Sequence, residues 1–117
     1  MNYLLLIYSN EAEFMSLGDT ALQKVSGEYM DFTKSIVQAG NFKAGDRLKP
    51  VSSASTVRVR NGKTTITDGP FAETREQLGG YYLIEAKNLD EATAIAARIP
   101  GARFGSIEVR PIWTPVT

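Results

Sequence analysis

The sequence predicts an α+β domain in the order strand, helix, strand, strand, helix, strand, with one extra β-hairpin inserted, and three observations carry that prediction. The short unbroken apolar run Tyr3 to Tyr8, and Tyr81 to Ala86, which repeats its pattern, have the character of strands buried on both faces. Two stretches repeat apolar residues at spacings of three and four, the period of an amphipathic helix. Between them lie two β-rich segments joined by Asn61-Gly62, the residue pair that best supplies the positive φ angles of a type I′ hairpin turn.

The elements follow in chain order. Tyr3 to Tyr8 is the first strand. Leu22, Val25, Tyr29, Phe32 and Ile36 then share one face of the first helix, which Gly40 ends. A second strand is expected around Phe42 to Leu48, broken by Gly45 and bounded by Pro50. Thr56 to Arg60 and Lys63 to Thr67 are the hairpin arms. Tyr81 to Ala86 is the next buried strand, with Gly79-Gly80 at its start.

Asn88 caps the second helix, with Glu91 reaching back, and Leu89, Ala92, Ile95, Ala96 and Ile99 form its apolar face. Pro100-Gly101 stops it. Ile107, Val109, Pro111 and Trp113 alternate in a last strand, and Pro111, lacking an N–H, places that strand at an edge or near a bulge.

With the hairpin set aside, this order is ferredoxin-like βαββαβ. The right-handed crossover rule is expected to set Tyr3 to Tyr8 parallel to Tyr81 to Ala86 at the sheet centre. Two helices cover only one face of such a sheet, yet both central strands are apolar on both faces. A second copy of the chain is the expected cover, which makes the protein a homodimer.

Composition narrows the functions. A chain of 117 residues suits one domain, expected to span 1–117. Thirteen Lys plus Arg balance thirteen Asp plus Glu, so no net field favours nucleic acid or an anionic bilayer. The apolar run at Tyr3 to Tyr8 lacks a basic leader and is too short to span a membrane, and the protein is read as cytoplasmic. There is no Cys and no His, which removes thiol nucleophiles, Ser-His-Asp relays and the usual transition-metal ligands. No metal and no cofactor are implied. Any chemistry falls to carboxylates, Tyr, Lys, Arg or backbone groups, in a metal-independent lyase-like or hydrolase-like reaction.

The stretch TDGPFAETREQLGGYYLIEAKNLDEA closely resembles the signature of the DGPF branch of the YCII-related proteins. The likeness extends to the opening YLLLIY, the VRVRNGK hairpin and the closing GSIEVRPI, and so covers nearly the whole chain. It implies a ferredoxin-like fold whose sheets face each other across a two-fold axis, a dimeric α/β barrel with a cleft beside the sheet. The resemblance further implies relatives that act on chlorinated aromatics and others encoded beside extracytoplasmic-function sigma factors. The shorter YCII branch carries a proposed catalytic His–Asp dyad, its His on the first helix. This chain has no His, and Tyr29 falls at about that place. A phenol with an ordinary pKa near 10 is a poor base at neutral pH.

Asp68-Gly69-Pro70-Phe71 joins the hairpin to the central strand, where Asp suits an Asx turn, Gly unusual dihedrals and Pro a stiff bend. As a loop it also suits a ligand cleft, with Asp68 and Tyr29 the catalytic candidates and Asp68, Phe71, Arg75, Tyr29 and Tyr82 the binding candidates. Arg75, between Glu73 and Glu76, is the natural clamp for a carboxylate or phosphate. Asp46 and Arg47 are placed to face the same cleft from the second strand.

Arg58, Arg60 and Lys63 read as the solvated edge of the hairpin rather than a groove-reading ribbon. Gly79-Gly80 lacks the context of a phosphate loop. Two functions remain open: a homodimer binding a small anionic or aromatic molecule where the 68–71 loop meets the first helix, with the hairpin peripheral, or a regulatory module docking a partner such as a sigma factor.

Overall fold

A computed structural model describes residues 1–114; Pro115, Val116 and Thr117 lie outside the described residues. The elements are β1 (Asn2–Ser9), α1 (Glu11–Met15), α2 (Asp19–Gln38), β2 (Phe42–Arg47), β3 (Ser55–Arg60), β4 (Lys63–Asp68), β5 (Gln77–Glu85), α3 (Leu89–Ala97) and β6 (Ser106–Pro111). The main sheet has the order β2-β5-β1-β6 and is antiparallel throughout, while β3 and β4 form a separate two-stranded sheet. This is the ferredoxin-like arrangement with an inserted hairpin.

One expectation is corrected at the sheet centre. β1 and β5 are antiparallel, with Leu4 opposite Leu83 and Leu6 opposite Tyr81. The crossover rule governs the strands that a helix connects, and here each helix connects strands separated by one neighbour. β2 and β1 are each antiparallel to β5, so the β1-α2-β2 crossover joins parallel strands with β5 between them. By the same reasoning α3 joins parallel β5 and β6 around β1.

The helices lie on one face. Tyr3, Leu5 and Ile7 of β1 and Tyr82 and Ile84 of β5 are buried against Phe32 and Ile36 of α2 and Ala92, Ile95 and Ala96 of α3. The alternate residues, Leu4, Leu6, Tyr8, Tyr81 and Leu83, are only half-buried, so in one chain the central strands are covered on a single face. Apolar residues on both faces of these strands are the mark of a two-sided environment, which one chain does not supply.

Local chemistry sets the boundaries. α2 ends in a Schellman motif: Gly40 takes φ +83°, its N–H donates to the Val37 carbonyl at 3.1 Å, and the Asn41 N–H donates to the Ile36 carbonyl at 2.9 Å. Asn88 caps α3 by accepting from the Glu91 N–H at 2.9 Å, while the Glu91 carboxylate reaches the Lys87 N–H at 3.4 Å instead of that of Asn88. The hairpin turns through Asn61 and Gly62 at φ +53° and +76°, both in the left-handed region that a type I′ turn requires.

Four smaller expectations change. The 77–85 strand begins well before Gly79-Gly80, and the pair lies inside it because Gly79 is a bulge between the Ile7–Gly80 and Tyr8–Leu78 pairings. Leu89, the first residue of α3, is exposed and does not join the buried face of Ala92, Ile95 and Ala96. Trp113 is exposed beyond β6, which ends at Pro111 on the edge strand where a missing N–H costs no ladder bond. The short α1 was hidden in a polar segment; Asn10 caps it by accepting from the Glu13 N–H at 2.9 Å. Among the described residues no helix is long and apolar enough to cross a membrane.

Candidate functional site

α2 presents two faces. Its buried face meets the sheet, and its flank, through Tyr29, Met30, Thr33, Lys34 and Val37, lines an open and largely apolar trough of about 630 Å³. Met30 is 63% exposed and Val37 53% exposed, so this flank carries apolar surface that the chain itself leaves uncovered. The inner edge of the trough is where hydroxyl groups gather. The Thr33 and Tyr82 hydroxyls are hydrogen-bonded at 2.7 Å, and the Tyr82 ring stacks edge-on against Phe32 at 5.2 Å and Phe42 at 6.3 Å.

Tyr82 has room because position 45 is glycine. A Cβ on Gly45 would stand 2.8 Å from the Tyr82 Cδ1, too close for any other residue without displacing the ring. Tyr29 is held by the turn that follows α3: the Gly101 N–H donates to its hydroxyl at 3.1 Å. Burial pushes the Tyr29 phenol above its ordinary pKa, against the smaller opposing pull of the Gly101 N–H and of the Arg47 and Arg103 cations. Tyr82 is also raised, chiefly by burial. Both phenols therefore stay protonated at neutral pH and serve as hydrogen-bond donors rather than bases.

Asp46 and Arg47 are adjacent on β2 and point to opposite sides of the sheet. Asp46 accepts from the Tyr81 hydroxyl at 2.6 Å on the helix-free side. That carboxylate raises the Tyr81 pKa, first by the hydrogen bond and then by its charge. Arg47, on the helix side, is one of the two guanidiniums that act on Tyr29. The other, Arg103, forms an ion pair with Glu28 at 2.8 Å.

The charged candidates sit elsewhere. Asp68 ends β4 and is exposed, and Phe71 is 75% exposed. Their loop is fastened to the hairpin: the Gly69 N–H donates to the Ala54 carbonyl at 2.7 Å, the Thr56 hydroxyl to the Gly69 carbonyl at 2.8 Å, and Arg58 to the Phe71 carbonyl at 3.2 Å. Gly69 takes φ +99°, which explains a glycine after Asp68.

Arg75 lines a second, polar concavity of about 470 Å³ with Asn10, Glu13 and Glu76. Glu76 accepts there from the Ser106 hydroxyl at 2.8 Å, and Asn10 donates to the Arg75 carbonyl at 3.2 Å. Within one chain, then, Tyr29 and Tyr82 come together, Asp68 and Phe71 come together, and Arg75 stands with a third group. No described hydrogen bond or ion pair joins these three sets.

The sequence does not mark Thr33 as a site residue, and it marks Gly45 and Gly101 only as a strand interruption and a helix stop. Thr33 stands four residues after Tyr29, on the same flank by helical spacing, and that was the available signal. Gly45 and Gly101 act through absent side chains and distant partners, which no local pattern announces.

Comparison with known proteins agrees with this architecture. A solved structure of 5-chloro-2-hydroxyhydroquinone dehydrochlorinase from Burkholderia phenoliruptrix AC1100, in complex with 2,5-dihydroxybenzoquinone, superposes with a TM-score of 0.56 over 97% of this chain and 94% of that one. At 12% sequence identity the likeness is one of fold. An uncharacterised protein of Rhizobium meliloti strain 1021 is 38% identical over 114 residues, 96% of this chain and 92% of its own length. The YCII-related domain matches residues 1–115, and on that match the chain belongs to the YCII-related family.

Proposed function

We propose that this protein, one domain over residues 1–117, is a cytoplasmic homodimer that binds a small aromatic or anionic molecule beside its sheet. The observation that carries the reading is the trough on α2, where an apolar wall borders two neutral phenols and a threonine hydroxyl. Apolar lining with a few convergent polar groups is the general composition of small-molecule sites. An aromatic ring with phenolic or carboxylate substituents suits it: the ring packs on Met30 and Tyr29, and an oxygen substituent accepts from a phenol. The fold neighbour's dihydroxybenzoquinone belongs to the same chemical class.

Asp68 and Arg75 supply the charged groups of this proposed site, Asp68 as acceptor or base and Arg75 as anion clamp, and Phe71 supplies a second ring for the ligand to pack on. The homodimer reading is supported by the helix-free sheet face, where Leu4, Leu6 and Leu83 surround the Tyr81–Asp46 hydrogen bond. The second reading is a regulatory module docking a protein partner, with a sigma factor suggested by family resemblance. The exposure of Val57, Val59, Ile66 and Phe71 favours it.

A thermal-shift screen against aromatic acids, hydroxylated quinones and small anions separates the two readings. A ligand of the native state raises the apparent melting temperature, and a Tyr29→Phe variant loses that rise. No rise with any compound of these classes rejects the small-molecule reading.

A further inference from the structure

Hydrogen bonds have a direction, and around Tyr29 that direction is fixed. Its hydroxyl oxygen accepts from the Gly101 N–H at 3.1 Å, and among the described residues nothing accepts the proton of that hydroxyl in return. A phenol both donates and accepts, so its accepting half is spent on the turn after α3 and its donating half is left over. The neighbouring pair gives the same count. Thr33 and Tyr82 share one hydrogen bond at 2.7 Å, which uses one of their two protons and leaves the other without a described acceptor.

The charges lean the same way. The residues that line the trough include a cation, Lys34, and no carboxylate, and Lys34 has no ion-pair partner among the described residues. Arg47 acts on the Tyr29 phenol from β2, and Arg103 from the turn after α3, while β5 contributes the neutral Tyr82 phenol. Glu28, next to Tyr29 in the chain, is already paired with Arg103 at 2.8 Å. The sheet register keeps the approach from β2 open. Arg47 lies opposite Gly80 and Gly80 opposite Ile7, so the row that leads from Ile7, beside Gly101, to Arg47 has no side chain in its middle.

We propose that the α2 trough binds its aromatic ligand as an oxyanion, a phenolate or aryl carboxylate whose charged oxygen accepts the Tyr29 proton, in preference to the neutral acid of the same compound. This rests on the small-molecule reading above and adds the charge state that the site selects. Leftover donors and cations with no facing carboxylate stabilise an oxygen that only accepts, through charge-assisted hydrogen bonds. A neutral phenolic or carboxylic oxygen brings one more donor to a site already in surplus of donors and gains nothing from the cations.

The proton balance follows from acidity. Burial holds the Tyr29 phenol above its ordinary pKa of about 10, so an aromatic acid that ionises near neutral pH is the partner that gives up its proton. That proton goes to solvent, and Tyr29 keeps its own.

4-Nitrophenol reads the charge state directly, because its ionised form absorbs in the visible and its neutral form does not. The probe is mixed with the full chain at a pH near its own pKa, and bound probe is followed by absorbance and by equilibrium dialysis. Binding should come with growth of the phenolate band, corresponding to a preference for the anion of at least about tenfold, the scale of one charged hydrogen bond. Tyr29→Phe should lose that preference. Lys63→Ala, which removes a cation from the hairpin, should keep it.

Binding without growth of the band, or growth undiminished in a folded Tyr29→Phe protein, would overturn the proposal and leave the small-molecule reading in place. If Tyr29→Phe does not fold, the wild-type spectrum decides alone, and a bound probe that stays neutral overturns the proposal. Absence of binding in either charge state overturns it too, and the thermal-shift screen then shows separately whether any small molecule binds.

Discussion

The hydroxyl of Tyr29 accepts a hydrogen bond from the backbone of Gly101, 72 residues away, and the glycine is what makes room for it. A Cβ at position 101 would lie 2.5 Å from that hydroxyl oxygen and 3.1 Å from the Ile7 Cγ2. α2 is thereby tied to the turn after α3 and Tyr29 is fixed at the edge of the trough. Gly101→Ala is expected to destabilise the fold by about 1 to 3 kcal/mol, the range for overpacking a close contact. Denaturant titration should show a smaller penalty for Gly101→Ala in a Tyr29→Phe background, because the clashing oxygen is gone. Equal penalties in both backgrounds would mean that Ile7, and not Tyr29, sets the limit.

The buried phenols give a pH signature. Tyr29 and Tyr82 have pKa values raised by burial, so between about pH 10, where the unfolded chain ionises, and the higher folded values the native state binds more protons. Their contribution to stability is fully present below pH 10 and is lost as pH rises through that window. Chemical denaturation midpoints measured from pH 8 to 11 should fall, and the fall should be shallower in Tyr82→Phe. The difference between the two proteins is the informative quantity. An identical slope would rule out a contribution from Tyr82.

Much of this fold was legible because its signals are local. The spacing of Val25, Phe32 and Ile36 marked the buried face of α2, Asn61-Gly62 marked the hairpin turn, and Asn88 marked the start of α3. The direction of β5 relative to β1 was not local. It depends on which strand is inserted between the two that a helix joins, and the apolar runs look alike in either direction. The candidate site was legible in part for a similar reason. Tyr29 and Tyr82 were chosen by residue type and meet on the same side of the sheet, but Asp68 and Arg75 were joined to Tyr29 by the place of their loop ahead of the central strand and by the family resemblance, and in one chain each belongs to a different surface.

Leu6 tests the helix-free face. It lies opposite Tyr81 on β5 and Glu108 on β6, where the apolar residues of the central strands meet the Glu108–Arg110 ion pair of the edge strand. Leu6→Asp places a second carboxylate beside Glu108, which already pairs with Arg110, on a face that the proposed partner sheet would desolvate, at a cost of several kcal/mol. Sedimentation velocity at micromolar concentration should show wild type as a dimer and the variant as a folded monomer or an unfolded chain. Retention of the wild-type sedimentation coefficient by a folded Leu6→Asp protein would place the dimer interface elsewhere.

The final prediction concerns which cation holds an anionic ligand. Arg75 lines the smaller concavity together with Glu13 and Glu76, whereas Arg47 shares the helix side of the sheet with Tyr29 and is exposed. The family signature points to Arg75 together with Asp68, and the geometry around the phenol adds Arg47 as a rival. With a binder found by thermal shift, calorimetric titration into single variants decides between them. Asp68→Asn and Arg75→Ala should each weaken binding by at least about 1 kcal/mol, roughly fivefold in Kd, the scale of a lost charged hydrogen bond. Lys63→Ala, at the hairpin turn and on the polar face, should leave affinity unchanged. If Arg47→Ala weakens binding and Arg75→Ala does not, the anion sits against β2 and α2, and Arg75 serves the turn that holds Asn10. Unchanged affinity in Asp68→Asn would leave the 68–71 loop with its turn-forming role alone, since Gly69 at φ +99° and its bond to Ala54 account for the sequence there without a ligand.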